Sequence, residues 1–112
     1  RGSVCINTGG EKVFPEEVEE ALKTHPAVAD AVVVGVPDER WGERVTAVVQ
    51  SSAPVTLEQL QEHCRSSLAG YKVPRAVCLV DRVERSPSGK ADYRWARNVA
   101  VGFDGSGTQP ET

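Results

Sequence analysis

The chain has 112 residues, 13 lysines and arginines against 16 aspartates and glutamates, and a formal net charge of −3. That length suits one domain with one modest core. The acidic balance argues against a nucleic-acid or anionic-membrane partner held by bulk electrostatics, and the longest apolar run, residues 31–36, is far too short to span a bilayer.

From the N-terminus, residues 3–13 read as two short extended pieces joined by a turn at Thr8-Gly9-Gly10, with Val4, Ile6 and Val13 supplying the apolar positions. The chain opens on Arg1 without a methionine or a visible signal peptide, which reads as a piece cut from a longer protein. Pro15 suits the first position of a helix. Glu16, Glu17, Glu19 and Glu20 crowd its first turns, where the helix dipole favours anions, and read as a solvated face. Val18, Ala21 and Leu22 form the buried stripe, and Pro26 ends the helix.

Residues 29–36 are a β-branched run read as a central strand. A turn at Pro37-Asp38-Glu39-Arg40 leads through Trp41-Gly42-Glu43 into a second strand at 45–50, antiparallel to the first because the connection is short. Thr56 and Gln59 fit a capping box, and Leu57, Leu60, Cys64 and Leu68 mark the inner face of a second helix that Gly70 stops. After Tyr71-Lys72-Val73-Pro74, a third strand is expected at 76–80 and a short last helix, carrying Tyr93 and Trp95, at 91–98. The end of the chain is rich in Gly, Ser, Thr and Pro and reads as a flexible tail over 99–112. The expectation is an α+β domain over residues 1–98, with an N-terminal β-hairpin and a three-stranded sheet covered by helices on one face.

The chemistry concentrates at Ser86-Pro87-Ser88-Gly89-Lys90. Pro87 fixes one backbone angle and Gly89 makes a positive φ cheap, so Ser88 and Gly89 support a turn that presents Lys90 at its tip. An ammonium there suits phosphate or carboxylate oxygens. The run is not a P-loop. Glu84 stands where that motif needs its first glycine, and Ala91 offers no hydroxyl for magnesium. Cys5, Cys64 and Cys78 lack C-x-x-C spacing and read as free thiols of a reducing, cytoplasmic compartment. Neither His25 nor His63 has a neighbour at metal-ligand spacing, so no metal site is expected within the chain.

Five runs fall in a familiar order: Gly9-Gly10-Glu11-Lys12-Val13-Phe14-Pro15-Glu16-Glu17-Val18-Glu19 with His25-Pro26-Ala27-Val28, Gly35-Val36-Pro37-Asp38, Trp41-Gly42-Glu43, Tyr71-Lys72-Val73-Pro74, and Ser88-Gly89-Lys90. Over residues 1 to about 97 the chain resembles the small C-terminal (lid) domain of the adenylate-forming superfamily: acyl-CoA synthetases, luciferases and peptide-synthetase adenylation domains. It looks most like the bacterial fatty-acid-type acyl-CoA synthetases. The resemblance implies a two-step reaction. A carboxylate attacks the α-phosphate of ATP to give an acyl-adenylate and pyrophosphate, and coenzyme A then displaces AMP. Between the steps the small domain turns on a large N-terminal domain of the same polypeptide.

Under the resemblance Lys90 is the adenylation lysine, and the segment Gly9, Gly10, Glu11 and Lys12 lines the coenzyme A and thioester face. Gly2 and Ser3 take the hinge, where relatives usually carry lysine or aspartate. ATP, its Mg and the acyl group are held mainly by the large domain, which this chain lacks, so the domain alone is expected to be inactive. Relatives are also regulated by acetylation of the matching lysine, which makes a lysine acetyltransferase acting on Lys90 an expected partner. Two other readings share the residues: an adenylation domain that loads a carrier-protein thiol, and a non-catalytic interaction module. Retention of Lys90 and of Gly9-Gly10 weighs against the second.

Overall fold

Two valine-rich runs build the centre of the molecule. A computed structural model describes residues 4–102. Its longest elements are β3 (Val28–Asp38) and β4 (Gly42–Ser51), an antiparallel ladder running from Val28 opposite Ser51 to Asp38 opposite Gly42. A bulge between Val28 and Asp30 shifts the register once. Beyond it the side chains alternate strictly. Ala31 and Val33 face one side with Val45, Ala47 and Val49, while Val32, Val34 and Val36 face the other with Val48.

Three further strands complete the sheet. β1 (Ile6–Thr8) and β2 (Glu11–Val13) form the expected hairpin, and β1 meets β4 antiparallel at Thr8 opposite Gly42. β5 (Ala76–Val80) runs parallel to β4 over Thr46 to Gln50. The sheet thus has five strands rather than three, because the hairpin joins it. Among the described residues β3 is left with one open edge.

The α+β class is as expected, but the helices cover both faces. α1 (Pro15–Lys23) and α2 (Leu57–Arg65) seal the first face through Val18, Leu22, Leu60 and Cys64. α3 (Tyr93–Val101) seals the second through Ala96 and Ala100, against Val32, Val34, Ala76 and Cys78. The physical reason lies in β3 itself. A sheet with one wet face alternates apolar and polar residues, whereas 31–36 is apolar or glycine throughout, which requires cover on both sides.

Local chemistry sets the helix ends. Pro15 stands at the start of α1, and the Thr56–Gln59 capping box of α2 is complete. α2 stops at Arg65 rather than near Gly70, where the Ser66 hydroxyl donates to the carbonyl of His63. A single 3-10 turn occupies Gly70–Lys72. α3 starts later than expected because the Asp92 side chain accepts from the Trp95 amide. It continues through Val101 with Ala100 fully buried, so ordered structure extends beyond residue 98. Gly2, Ser3 and residues 103–112 lie outside the described residues.

Candidate functional site

Lys90 closes a turn that braces itself. The Ser86 amide donates to the Lys90 carbonyl at 2.8 Å, the Gly89 amide to the Ser86 carbonyl at 2.8 Å, and the Lys90 amide to Ser86 Oγ at 3.2 Å. Ser86 and Ser88 share a hydroxyl hydrogen bond of 3.0 Å, and Arg85 pairs with Ala91 in an isolated bridge across the base. Gly89 sits at φ +89°, a conformation strained for any side chain. The Lys90 side chain is exposed. Among the described residues its ammonium makes no ion pair, so its charge is free to meet an anion.

The turn hangs from β3. Arg85 forks onto Asp30 with Nε to Oδ2 at 2.8 Å and Nη2 to Oδ1 at 2.6 Å, while its Nη1 donates to the Gly89 carbonyl at 3.1 Å. The Arg85 hydrogen bonds hold the Asp30 carboxyl below its ordinary value.

The Gly9-Gly10 turn sits at the other end of the same ladder. Gly9 and Gly10 both take positive φ, +60° and +86°, and both are exposed, as are Glu11 and Lys12. The Gly9 amide donates to the Trp41 carbonyl at 2.7 Å. The indole of Trp41 would lie 3.5 Å from a Cβ at Gly9, and the Arg75 guanidinium stands 3.9 Å from the ring centroid. The corner after β3 is organised by Asp38, whose Oδ1 accepts from the amides of Arg40 and Trp41. The Arg40 amide is the first cause of a lowered Asp38 carboxyl.

Asp30, which holds the lysine turn, and Asp38, beside the glycine turn, lie near opposite ends of β3. At about 3.4 Å per residue they are roughly 27 Å apart. The candidate residues therefore form two separate groups on one rigid ladder: Ser88, Gly89 and Lys90 at one end, and Gly9, Gly10, Glu11 and Lys12 at the other.

The sequence reading overlooked Asp30 and Arg85. A carboxylate breaking into the 29–36 run was the available signal, since a charge in a buried strand needs a partner. Glu19, read as part of a solvated face, is buried. Its Oε2 accepts from the Val33 amide at 3.0 Å and from Tyr93 Oη at 2.8 Å. No group of three or more His, Cys, Asp or Glu among the described residues is placed to hold a metal ion. Also among the described residues, no helix is long and apolar enough to cross a membrane.

Comparison with known proteins shows the family. A family model described as the AMP-binding enzyme C-terminal domain matches residues 17–90. The chain is 67% identical over 100 residues to a 3-oxocholest-4-en-26-oate–CoA ligase of Rhodococcus rhodochrous, covering 88% of this chain and 18% of that protein. It is 62% identical over 99 residues to a medium/long-chain-fatty-acid–CoA/3-oxocholest-4-en-26-oate–CoA ligase of Mycobacterium tuberculosis, covering 87% and 18%. A solved Mycobacterium tuberculosis fatty acyl CoA synthetase superposes with a TM-score of 0.82 at 35% identity, over 88% of this chain and 20% of that one. An o-succinylbenzoate CoA synthetase of Bacillus subtilis, solved with its acyl-adenylate intermediate, superposes at 0.75 and 39% identity, over 84% and 19%. The chain thus spans about a fifth of the length of the proteins it matches.

Proposed function

The chain belongs to the family of AMP-binding enzyme C-terminal domains, and from that premise we propose that it is the small domain of an ATP-dependent acyl-CoA ligase. The whole enzyme joins a carboxylic acid to coenzyme A and converts ATP to AMP and pyrophosphate. The acid is a medium- or long-chain fatty acid or a steroid carboxylate, the substrates for which relatives 62–67% identical are named. The acceptor is coenzyme A rather than a carrier-protein thiol, because those relatives are CoA ligases. The setting is the cytoplasm, in keeping with three free cysteines.

The observation that carries the reading is the placement of two exposed turns at opposite ends of the β3–β4 ladder. A rigid body of this form, turned on the large domain, presents one end or the other to the reacting atoms. Lys90 serves adenylation. A carboxylate must approach a polyphosphate, and an ammonium between them offsets the repulsion and the charge developing on the leaving group. The Gly9-Gly10 turn serves thioester formation, its bare backbone leaving room for the pantetheine thiol, with Glu11 and Lys12 beside it and Gly2 and Ser3 as the hinge. Mg and most of ATP are assigned to the large domain, as the family resemblance implies. An exposed Lys90 is also open to a lysine acetyltransferase, which would remove the charge that the step needs.

The test separates the half-reactions in the full-length enzyme. Lys90→Ala is expected to slow pyrophosphate exchange by roughly a hundredfold or more, and to leave conversion of supplied acyl-adenylate to acyl-CoA nearly intact. Gly10→Val is expected to do the reverse. No atom crowds that position, but φ is +86°, which a β-branched residue adopts only under strain. Equal damage to both steps by Lys90→Ala would make the lysine a general structural residue and remove the basis for alternation.

A further inference from the structure

Among the described residues β3 has no strand on its outer edge, and side chains take that place. Glu19 accepts from the Val33 amide, Arg97 donates to the Gly35 carbonyl at 2.8 Å, and Asp30 accepts from the Ala31 amide at 2.8 Å. Of these groups, Asp30 also reaches outward to the lysine turn. Its carboxylate takes two N–H groups of Arg85, and a third N–H of the same guanidinium is spent on the carbonyl of Gly89. That carbonyl belongs to the peptide that joins Gly89 to Lys90. The guanidinium is planar and its donors are fixed relative to one another, so seating it on Asp30 also seats the peptide that carries Lys90.

We propose that Asp30 and Arg85 are positioning residues for Lys90: a planar strut from β3 to the Gly89 carbonyl that fixes where the lysine ammonium reaches during acyl-adenylate formation. The proposal rests on the reading of Lys90 as the adenylation lysine. It explains why a turn at the molecular surface is tied to a sheet edge by a bidentate ion pair whose side chains are 30% and 20% exposed. It also explains why the residue is arginine. A lysine ammonium has no planar fork, so it does not fix the carboxylate and the carbonyl in one plane. Neither residue touches the reacting atoms. A lysine displaced by about an ångström loses on the order of a hundredfold in rate, so the strut acts on turnover rather than on substrate affinity.

The experiment is a double-mutant cycle in the full-length enzyme, read as pyrophosphate exchange and, separately, as thioester formation from supplied acyl-adenylate. Arg85→Gln is expected to lower kcat for adenylation roughly tenfold to a hundredfold, with KM for ATP and for the acid little changed. Arg85→Lys keeps the charge but not the fork and is expected to fall nearly as far; Asp30→Asn is expected to fall less. All three leave thioester formation intact, which also reports that the domain is folded. In a Lys90→Ala background Arg85→Gln is expected to add nothing, because the strut then has no ammonium to place. Full activity of Arg85→Lys or of Arg85→Gln, equal loss in both half-reactions, or the same further loss in the Lys90→Ala background would each overturn the proposal. If Lys90→Ala alone adenylates at the parental rate, the assignment of Lys90 fails and takes the strut with it. A slow Lys90→Ala beside a normal Arg85→Gln overturns the strut alone.

Discussion

At the scale of single residues, Glu19 is the side chain most at odds with its surroundings. It is 6% exposed, while Glu16, Glu17 and Glu20 of the same helix are solvated. Burial pushes its carboxyl above the ordinary range, and the hydrogen bonds from the Val33 amide and the Tyr93 hydroxyl pull only partly the other way. Tyr93 is pushed up in turn, by burial first and then by the carboxylate it meets. With a folded value above the unfolded value of about 4.3, Glu19 binds its proton more readily in the folded chain. Its contribution therefore weakens as pH rises from that unfolded value through the raised folded one. Glu19→Gln keeps an acceptor for both donors and removes the charge. It is expected to match or exceed the parent in stability at neutral pH and to flatten that pH slope. Glu19→Ala leaves two donors without a partner and is expected to cost about 1–3 kcal/mol. Urea titrations of both variants across the window decide the matter, and equal destabilisation would mean that the ionised carboxylate is required. The position was legible in the sequence. Pro15, Val18, Glu19 and Leu22 fall at i, i+3, i+4 and i+7, one stripe of a helix, and spacing was a better guide than residue type.

At the scale of elements, the β1–β2 hairpin depends on a glycine in another strand. A Cβ at Gly35 would stand 3.0 Å from Ile6 Cγ2 and 3.0 Å from Glu43 Cδ. Ile6 is fully buried, and the Glu43 carboxylate already accepts from the Asn7 amide at 2.8 Å, so neither side chain gives way without losing what holds β1 down. Gly35→Ala is expected to destabilise the domain by about 1–3 kcal/mol. The loss should appear in hydrogen exchange of β1 and β2 while the β3–β4 ladder stays protected. Uniform loss of protection across the sheet would show that the hairpin has no separate dock. Such a requirement is invisible before the fold is known, because Gly35 lies inside an apolar run where nothing marks the strand that will cross it. The same limit explains α3. A helix carrying Tyr93 and Trp95 was readable, but its Asp92 cap was not read, and the face it covers depends on how the chain returns after β5. The capping box of α2, Pro15 at the start of α1 and the antiparallel pairing of β3 with β4 were all readable because each is fixed by residues near one another in sequence.

At the scale of the whole molecule, the sheet separates two cores, and each holds one deeply buried thiol. Cys64 on α2 belongs to the core under α1 and α2, and Cys78 on β5 to the core under α3. Burial pushes the two thiols up to about 11 and about 12, so at neutral pH the reactive thiolate is scarce while the fold is intact. Cys5 is only half-buried. The two thiols are thus separate reporters of the two cores. Both cores share β3 and β4, whose alternate side chains fill one and then the other, and opening either face strips half the contacts of the same strands. The domain is therefore expected to unfold as one unit. Alkylation of the native protein should modify Cys5 first. In a urea titration Cys64 and Cys78 should become reactive together, at the midpoint seen by loss of β-sheet signal, with the slowest hydrogen exchange at 45–49 of β4. Exposure of Cys78 at a lower urea concentration than Cys64 would show that α3 lifts from its face while the α1–α2 side remains folded. The lysine turn, which leads directly into α3, would then be carried by a separately unfolding element rather than by the ladder on which the proposed alternation of its two ends depends.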